Sequence, residues 1–179
     1  MKLIILDRDG VINYDSAAYI KHPDEWIAIP GSLQAIARLY QAGWTVAVAS
    51  NQSGLARGYF DTSMLTAIHY KLRKELSQVG GVIDAFFVCP HGPDDHCACR
   101  KPLPGLFHDI ARRYDISLKD VPAVGDSMRD LRASYTAGCT PWVVQTGNGA
   151  VTSKQHDLPP TTRFADDLAM AVDQILSGN

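Results

Sequence analysis

Short runs dominated by apolar residues alternate along the chain with longer stretches in which apolar residues recur every three or four positions. The runs Leu3–Leu6, Thr45–Ala49, Ala85–Val88, Val121–Val124 and Trp142–Gln145 are too short for helices, which predicts five strands. Between them, Leu33, Ile36, Leu39 and Tyr40 share one helical face that Ala42 and Gly43 close. Leu65, Ile68, Leu72, Leu76 and Val79 form a second face, with Thr62 as the predicted N-cap and Gly80 and Gly81 as the stop. Shorter helices are predicted over Leu106–Tyr114, Arg129–Ala137 and Ala165–Leu176. The stretch 147–160, "GNGAVTSKQHDLPP", has neither period and reads as a surface loop. Strand and helix alternate, so the expected product is an α/β fold with a single doubly wound, mostly parallel sheet. With 46% hydrophobic residues, the 179 positions suffice for the core of one domain spanning 1–179.

Open α/β sheets bind ligands at the carboxyl ends of their strands. The first predicted strand runs into Asp7, Arg8 and Asp9, the second into Ser50, Asn51 and Gln52, and the fourth into Gly125, Asp126 and Ser127. The third leads through a cysteine-rich loop to Arg100 and Lys101. Alternate side chains of an extended segment point the same way, which lets Asp7 and Asp9 face one ligand while Arg8 faces away. Two carboxylates at one spot repel unless a cation or a reaction uses them. Carboxylate oxygens suit Mg²⁺, and Asp126 arrives as a third donor. One carboxylate can attack phosphorus while another protonates the leaving oxygen, with Ser50 and Lys101 placed to hold the non-bridging oxygens. The set reads as a phosphoryl-transfer site. Asp130, on the helix after the fourth strand, reads equally as a cap, a surface ion pair or a support for that site.

Three of the four cysteines, Cys89, Cys97 and Cys99, crowd into "CPHGPDDHCACRKP" beside two histidines, while Cys139 stands apart. Such spacing favours a metal over disulfides in a reducing compartment. Cys89, His91, Cys97 and Cys99 make a set for tetrahedral Zn²⁺ in a closed structural site, with His96 as the alternative to His91.

Taken together, "DRDGVIN", "ASNQSG", "RKPLPG" and "GDSMRDL" resemble, in order, the four motifs of the haloacid dehalogenase superfamily of aspartate-nucleophile phosphatases. The resemblance spans Asp7 to Leu131. It implies a Rossmann-like fold in which Asp7 is the nucleophile, Asp9 the general acid and base, and Ser50 and Lys101 the phosphate anchors. It also implies a magnesium site formed by Asp7, the backbone carbonyl of Asp9, and Asp126. "C-x-H" followed by "C-x-C" before Arg-Lys-Pro resembles the branch that hydrolyses heptose bisphosphate and histidinol phosphate, which favours His91 as the zinc ligand. The intervals between motifs leave no room for an inserted cap domain, so an open site is expected. Selectivity would then rest on Asp15, Asn51, Gln52, Ser53, Arg57, Arg100 and Lys101. "SNQSGLARG" is similar to the heptose bisphosphate phosphatases in particular. That similarity implies removal of the 7-phosphate of D-glycero-D-manno-heptose 1,7-bisphosphate, in the supply of heptose precursors for lipopolysaccharide. Histidinol phosphate hydrolysis is the enzymatic alternative, and a non-catalytic phosphate-binding module the alternative of another class.

A formal net charge of -2, without a basic aromatic-rich stretch, argues against a nucleic-acid partner. The start "MKLIILDRDG" meets charge after a short apolar run, too short for a signal peptide or membrane span. A cytoplasmic monomer acting on a small phosphorylated sugar, with no membrane partner, is the resulting expectation.

Overall fold

The computed structural model describes residues 1–178. Six parallel strands form one sheet in the order β3-β2-β1-β4-β5-β6. They are β1 (Lys2–Leu6), β2 (Trp44–Asn51), β3 (Ala85–Cys89), β4 (Pro122–Gly125), β5 (Thr140–Val144) and β6 (Arg163–Ala165). The helices between and after them are α1 (Ser32–Gln41), α2 (Thr62–Gln78), α3 (Gly105–Tyr114), α4 (Met128–Thr136), α5 (Gly149–Thr152) and α6 (Leu168–Leu176). Among the described residues, no helix is long and apolar enough to cross a membrane.

The two-residue period of the strands sorts the core into two layers. Ile4, Leu6, Val46 and Val48 face α1, α2 and α6, packing with Ile36, Leu39, Ile68, Leu72, Leu168 and Val172. Leu3, Ile5, Ala47 and Ala49 face the other way, onto Leu106, Phe107 and Ile110 of α3 and Ala133 of α4. Because both faces are covered, the central strands read as unbroken apolar runs rather than as alternating ones.

The sheet departs from the sequence-based expectation at its β6 edge. β6 has only three residues, two of them exposed, and so carries no apolar signal. It exists because β5 offers an unpaired edge: Trp142 pairs with Arg163, whose guanidinium carbon lies 5.6 Å from the Trp142 ring centroid. Ala165, predicted as the start of the last helix, is thereby a strand residue. α6 begins after Asp167, whose side chain accepts from the Met170 amide at 2.8 Å. At α2 the cap is Asp61 rather than Thr62, with Asp61 Oδ1 accepting from the Met64 amide. The stretch expected to be only a surface loop contains α5.

From β1 the chain moves to β2 and β3 on one side, and from β4 to β5 and β6 on the other. β1 and β4 are neighbours, with Leu6 opposite Val124, so a crevice opens beyond their carboxyl ends. This reversal of strand order is where α/β sheets accept ligands.

Candidate active site

At that crevice the Asp7 amide donates to the Val124 carbonyl at 2.9 Å, extending the β1–β4 ladder by one residue and aiming the Asp7 carboxyl out of the sheet. Lys101 reaches it from the β3–α3 connection: its Nζ lies 3.0 Å from Asp7 Oδ1 and 2.5 Å from Asp130 Oδ1. It also donates to the Ala49 carbonyl at 2.7 Å. Lys101 is buried, and the opposing carboxylates outweigh burial and hold the ammonium well above its ordinary range.

The carboxylates around it behave differently. Burial, with Asp130 and then Asp126 adding repulsion, drives Asp7 well above the usual carboxylate range despite Lys101. Burial and Asp130 push Asp126 up to about 7, opposed by the amide and side chain of Asn148, which donate to Asp126 Oδ2 at 2.7 and 3.1 Å. Asp130 goes the other way, because Lys101 and Ser127 overcome its burial and hold it ionised. One oxygen each from Asp7, Asp126 and Asp130 lie within 4.8 Å of one another. A single buried ammonium cannot balance three such groups, and hard oxygen donors this close fit a small divalent cation.

Asp130 is no surface ion pair. Its Oδ2 accepts from the Ser127 amide at 3.0 Å and hydroxyl at 2.6 Å, forming the capping box of α4, while its Oδ1 grips Lys101. Gly125 makes this possible, since a Cβ there would collide with the Asp130 side chain. Gly10 and Gly147, at φ of 80° and 58°, serve Asp126 similarly: a Cβ on either would meet its carboxylate. The start of the 147–160 stretch is therefore part of the site rather than only surface.

Asp9 shares the cavity with Asp7. Its carboxylate accepts from Arg8 Nε and Nη2 at 3.2 and 3.0 Å, from Asn13 Nδ2 at 2.9 Å and from Gln52 Nε2 at 2.9 Å. Burial would raise its pKa, yet the Arg8 guanidinium and these donors keep it below the ordinary value. Arg8, expected to face away from the ligand, is fully buried behind the site and grips Asp9 from there.

The second-strand residues take distinct places. Ser50 is buried beside Gln52, whose Nε2 is 2.9 Å from Ser50 Oγ, so Gln52 ties Ser50 to Asp9. Asn51 spans the Lys101 peptide: its Nδ2 donates to the Lys101 carbonyl and its Oδ1 accepts from the Lys101 amide, both at 3.0 Å. Both side-chain amides hold protein groups in place, and both residues also line the cavity, as does Lys101. Asp15, Ser53, Arg57 and Arg100 line the same cavity, which has a volume of about 350 Å³. Tyr19 and Arg129 line it too. Neither was singled out in the sequence, since an isolated aromatic in a loop and an arginine on a helix carry no local signature.

Beside the cavity, Cys89, His91, Cys97 and Cys99 bring one donor atom each within 4.8 Å of one another, and His96 is not in the group. His91 Nδ1 lies 3.3 Å from Cys99 Sγ, and Cys89 Sγ lies 3.7 Å from Cys97 Sγ. Thiolate bonds of about 2.3 Å to one tetrahedral ion would set the three sulfurs about 3.8 Å apart, close to the Cys89–Cys97 spacing, whereas Cys89 and Cys99 lie nearer at 3.1 Å. Cys97 is lowered to about 7 despite its own burial, chiefly through the Arg100 amide and its sulfur neighbours. Arg100 Nη1 donates to the His91 carbonyl at 3.2 Å, joining this cluster to the cavity wall.

The HAD-hydrolase-like family model matches residues 98–171. Over 176 residues the chain is 68% identical to D-glycero-beta-D-manno-heptose-1,7-bisphosphate 7-phosphatase of Bordetella bronchiseptica, covering 98% of both chains. It is 52% identical over 176 residues to the protein of that name from Pseudomonas putida, covering 98% of this chain and 100% of that one. The crystal structure of D,D-heptose 1,7-bisphosphate phosphatase from B. bronchiseptica, complexed with magnesium and phosphate, is similar at a TM-score of 0.98 and 66% identity over 100% of both chains.

Proposed function

We propose that this chain, which belongs to the HAD-like hydrolases and is a phosphoric monoester hydrolase, removes the 7-phosphate of D-glycero-D-manno-heptose 1,7-bisphosphate. The single observation that carries this reading is the pairing of 68% identity across nearly the whole chain with an intact Asp7–Lys101–Asp130 constellation. A module that only bound phosphate would have no use for a carboxyl aimed between a lysine and two further carboxylates.

In the proposed mechanism the carboxylate form of Asp7, which Lys101 favours, attacks phosphorus and forms an aspartyl-phosphate as the bond to the sugar oxygen breaks. Lys101 and Ser50 hold the non-bridging oxygens, and Asp130 and Asn51 keep Lys101 in place. Asp9, in its protonated form, gives its proton to the departing sugar oxygen as the P–O bond breaks. As a carboxylate it then takes a proton from the water that hydrolyses the aspartyl-phosphate. Asp7, Asp126 and the Asp9 carbonyl would hold Mg²⁺, which when bound neutralises charge on the phosphoryl oxygens. Arg57, Arg100 and Asp15 line the cavity and would contact the sugar and its second phosphate. The test is magnesium-dependent phosphate release from heptose 1,7-bisphosphate and from histidinol phosphate. A kcat/KM at least about tenfold higher for the heptose, about 1.4 kcal/mol of discrimination, is expected. The reverse preference would reassign the substrate, and release from neither would return the protein to the binding-module reading.

Zinc in the Cys89–His91–Cys97–Cys99 cluster is read as structural, its effect on the reaction passing through the adjacent Arg100 and Lys101. Purified protein is expected to carry about one zinc per chain. Removing it with a zinc-selective chelator, magnesium being kept in excess, should lower the melting temperature by about 5 °C or more and raise KM. Unchanged KM and turnover in the stripped protein would refute the coupling.

A further inference from the structure

Behind Asp9 runs a buried chain that the reaction as described does not use. Arg8 is fully buried, and two of its three guanidinium nitrogens, Nε and Nη2, are spent on Asp9. The third, Nη1, lies 3.3 Å from Nε2 of His69, a half-buried residue of α2. Arginine has donors and no lone pair, so Nε2 must be the acceptor and the histidine proton must sit on Nδ1. His69 stays neutral for this: burial, aided by the Arg8 and Arg73 cations and against the pull of Asp9, lowers its pKa to about 3. Its ring is fixed by stacking on Phe86 of β3, with centroids 4.1 Å apart and planes 15° from parallel. Arg73 in turn lies 4.9 Å from the Phe86 ring centroid.

We propose that His69 is a positioning residue for proton transfer by Asp9, acting through Arg8. The inference rests on the reading of Asp9 as the acid. Among the described residues, Asp9 is the sole carboxylate paired with Arg8. With Nε and Nη2 both committed to Asp9, Nη1 would be a buried guanidinium nitrogen without a protein acceptor, able to shift or draw in water, were His69 not there. His69 gives the guanidinium a neutral acceptor separate from Asp9. Arg8 then keeps one place through the cycle, and Asp9 returns to one rotamer. An aromatic that merely packed on Phe86 would not need a lone pair aimed at Nη1.

The experiment compares kcat/KM for heptose bisphosphate, whose alkoxide must be protonated to leave, with that for para-nitrophenyl phosphate, whose phenolate leaves without a proton. His69→Leu removes the acceptor at similar bulk, and His69→Gln keeps an acceptor where Nε2 lies. His69→Leu should lose about tenfold or more on the sugar ester and less than about threefold on the aryl ester, with His69→Gln near wild type on both. Equal losses on the two esters, or His69→Gln behaving like His69→Leu, would overturn the proposal while leaving Asp9 as the acid. Asp9→Asn is measured alongside: a loss that spares the aryl ester supports the acid reading, whereas equal losses overturn that reading and this inference with it. Thermal melts of both His69 variants separate a folding defect from the leaving-group effect.

Discussion

Asp7→Asn should reduce phosphate release by at least about 10⁴-fold, roughly 5.5 kcal/mol of transition-state stabilisation, with the fold unchanged. An amide oxygen is a poor nucleophile and cannot form the aspartyl-phosphate, and Asp126 and Asp130 are both engaged elsewhere, by Asn148 and by Lys101 with Ser127. The same change should not weaken the protein in the absence of metal. Burial and Asp130 raise the Asp7 pKa in the folded state. A carboxyl whose pKa is higher folded than unfolded contributes stability below its unfolded pKa, and that contribution is lost as pH rises through the folded pKa. The amide that replaces the carboxyl titrates nowhere in this window, so at neutral pH metal-free Asp7→Asn should melt at or above wild type, less whatever the Lys101 contact contributed. Stopped assays with the variant and calorimetric melts in chelator check both parts. Turnover close to wild type would end the covalent mechanism.

Asp130→Ala should destabilise the protein by about 3 kcal/mol, which at this chain length lowers the melting temperature by about 6–12 °C. Two effects combine. The capping box at the start of α4 disappears, and Lys101, with 2% of its surface exposed, loses the closer of its two carboxylates. Relief of the repulsion from Asp7 and Asp126 offsets part of this, which is why the lower end of the range for a broken buried pair applies. Asp130→Asn keeps an acceptor for Ser127 and drops the charge, so it should recover the capping share, about 1 kcal/mol. Both variants should raise KM and lower turnover, because Lys101 is left to Asp7 and the Ala49 carbonyl. If Asp130→Ala melted with wild type, the ion pair with Lys101 would contribute nothing to the fold.

Much of this architecture could be read locally. The central strands are buried on both faces, so β1, β2, β4 and β5 announce themselves as apolar runs, and the amphipathic faces of α1 and α2 announce themselves by period. β6 was illegible because its residues are chosen by the edge it completes rather than by burial of its own. Asp61 was overlooked as a cap because Thr62 beside it has an equally suitable hydroxyl, and only the backbone geometry separates them.

For the site, the sequence by itself determined which chemistry-bearing residues stand at strand ends, since a parallel sheet delivers whatever follows each strand to one edge. It also narrowed the candidate donors of the cysteine-rich loop to three cysteines and one of two histidines, and the folded loop groups His91 with the cysteines. Only the tertiary structure decided how those residues divide their work. Asn51 and Gln52 bond protein partners at the cavity wall, Asp130 is the buried counter-ion of Lys101, Asn148 crosses from the 147–160 stretch to Asp126, and Arg8 turns back onto Asp9. Each of those contacts except that of Arg8 with Asp9 joins residues far apart in the chain, or depends on how burial shifts charge among neighbours. Pattern and spacing carry no record of either, because both arise from desolvation and long-range Coulomb interaction that exist only once the chain has closed.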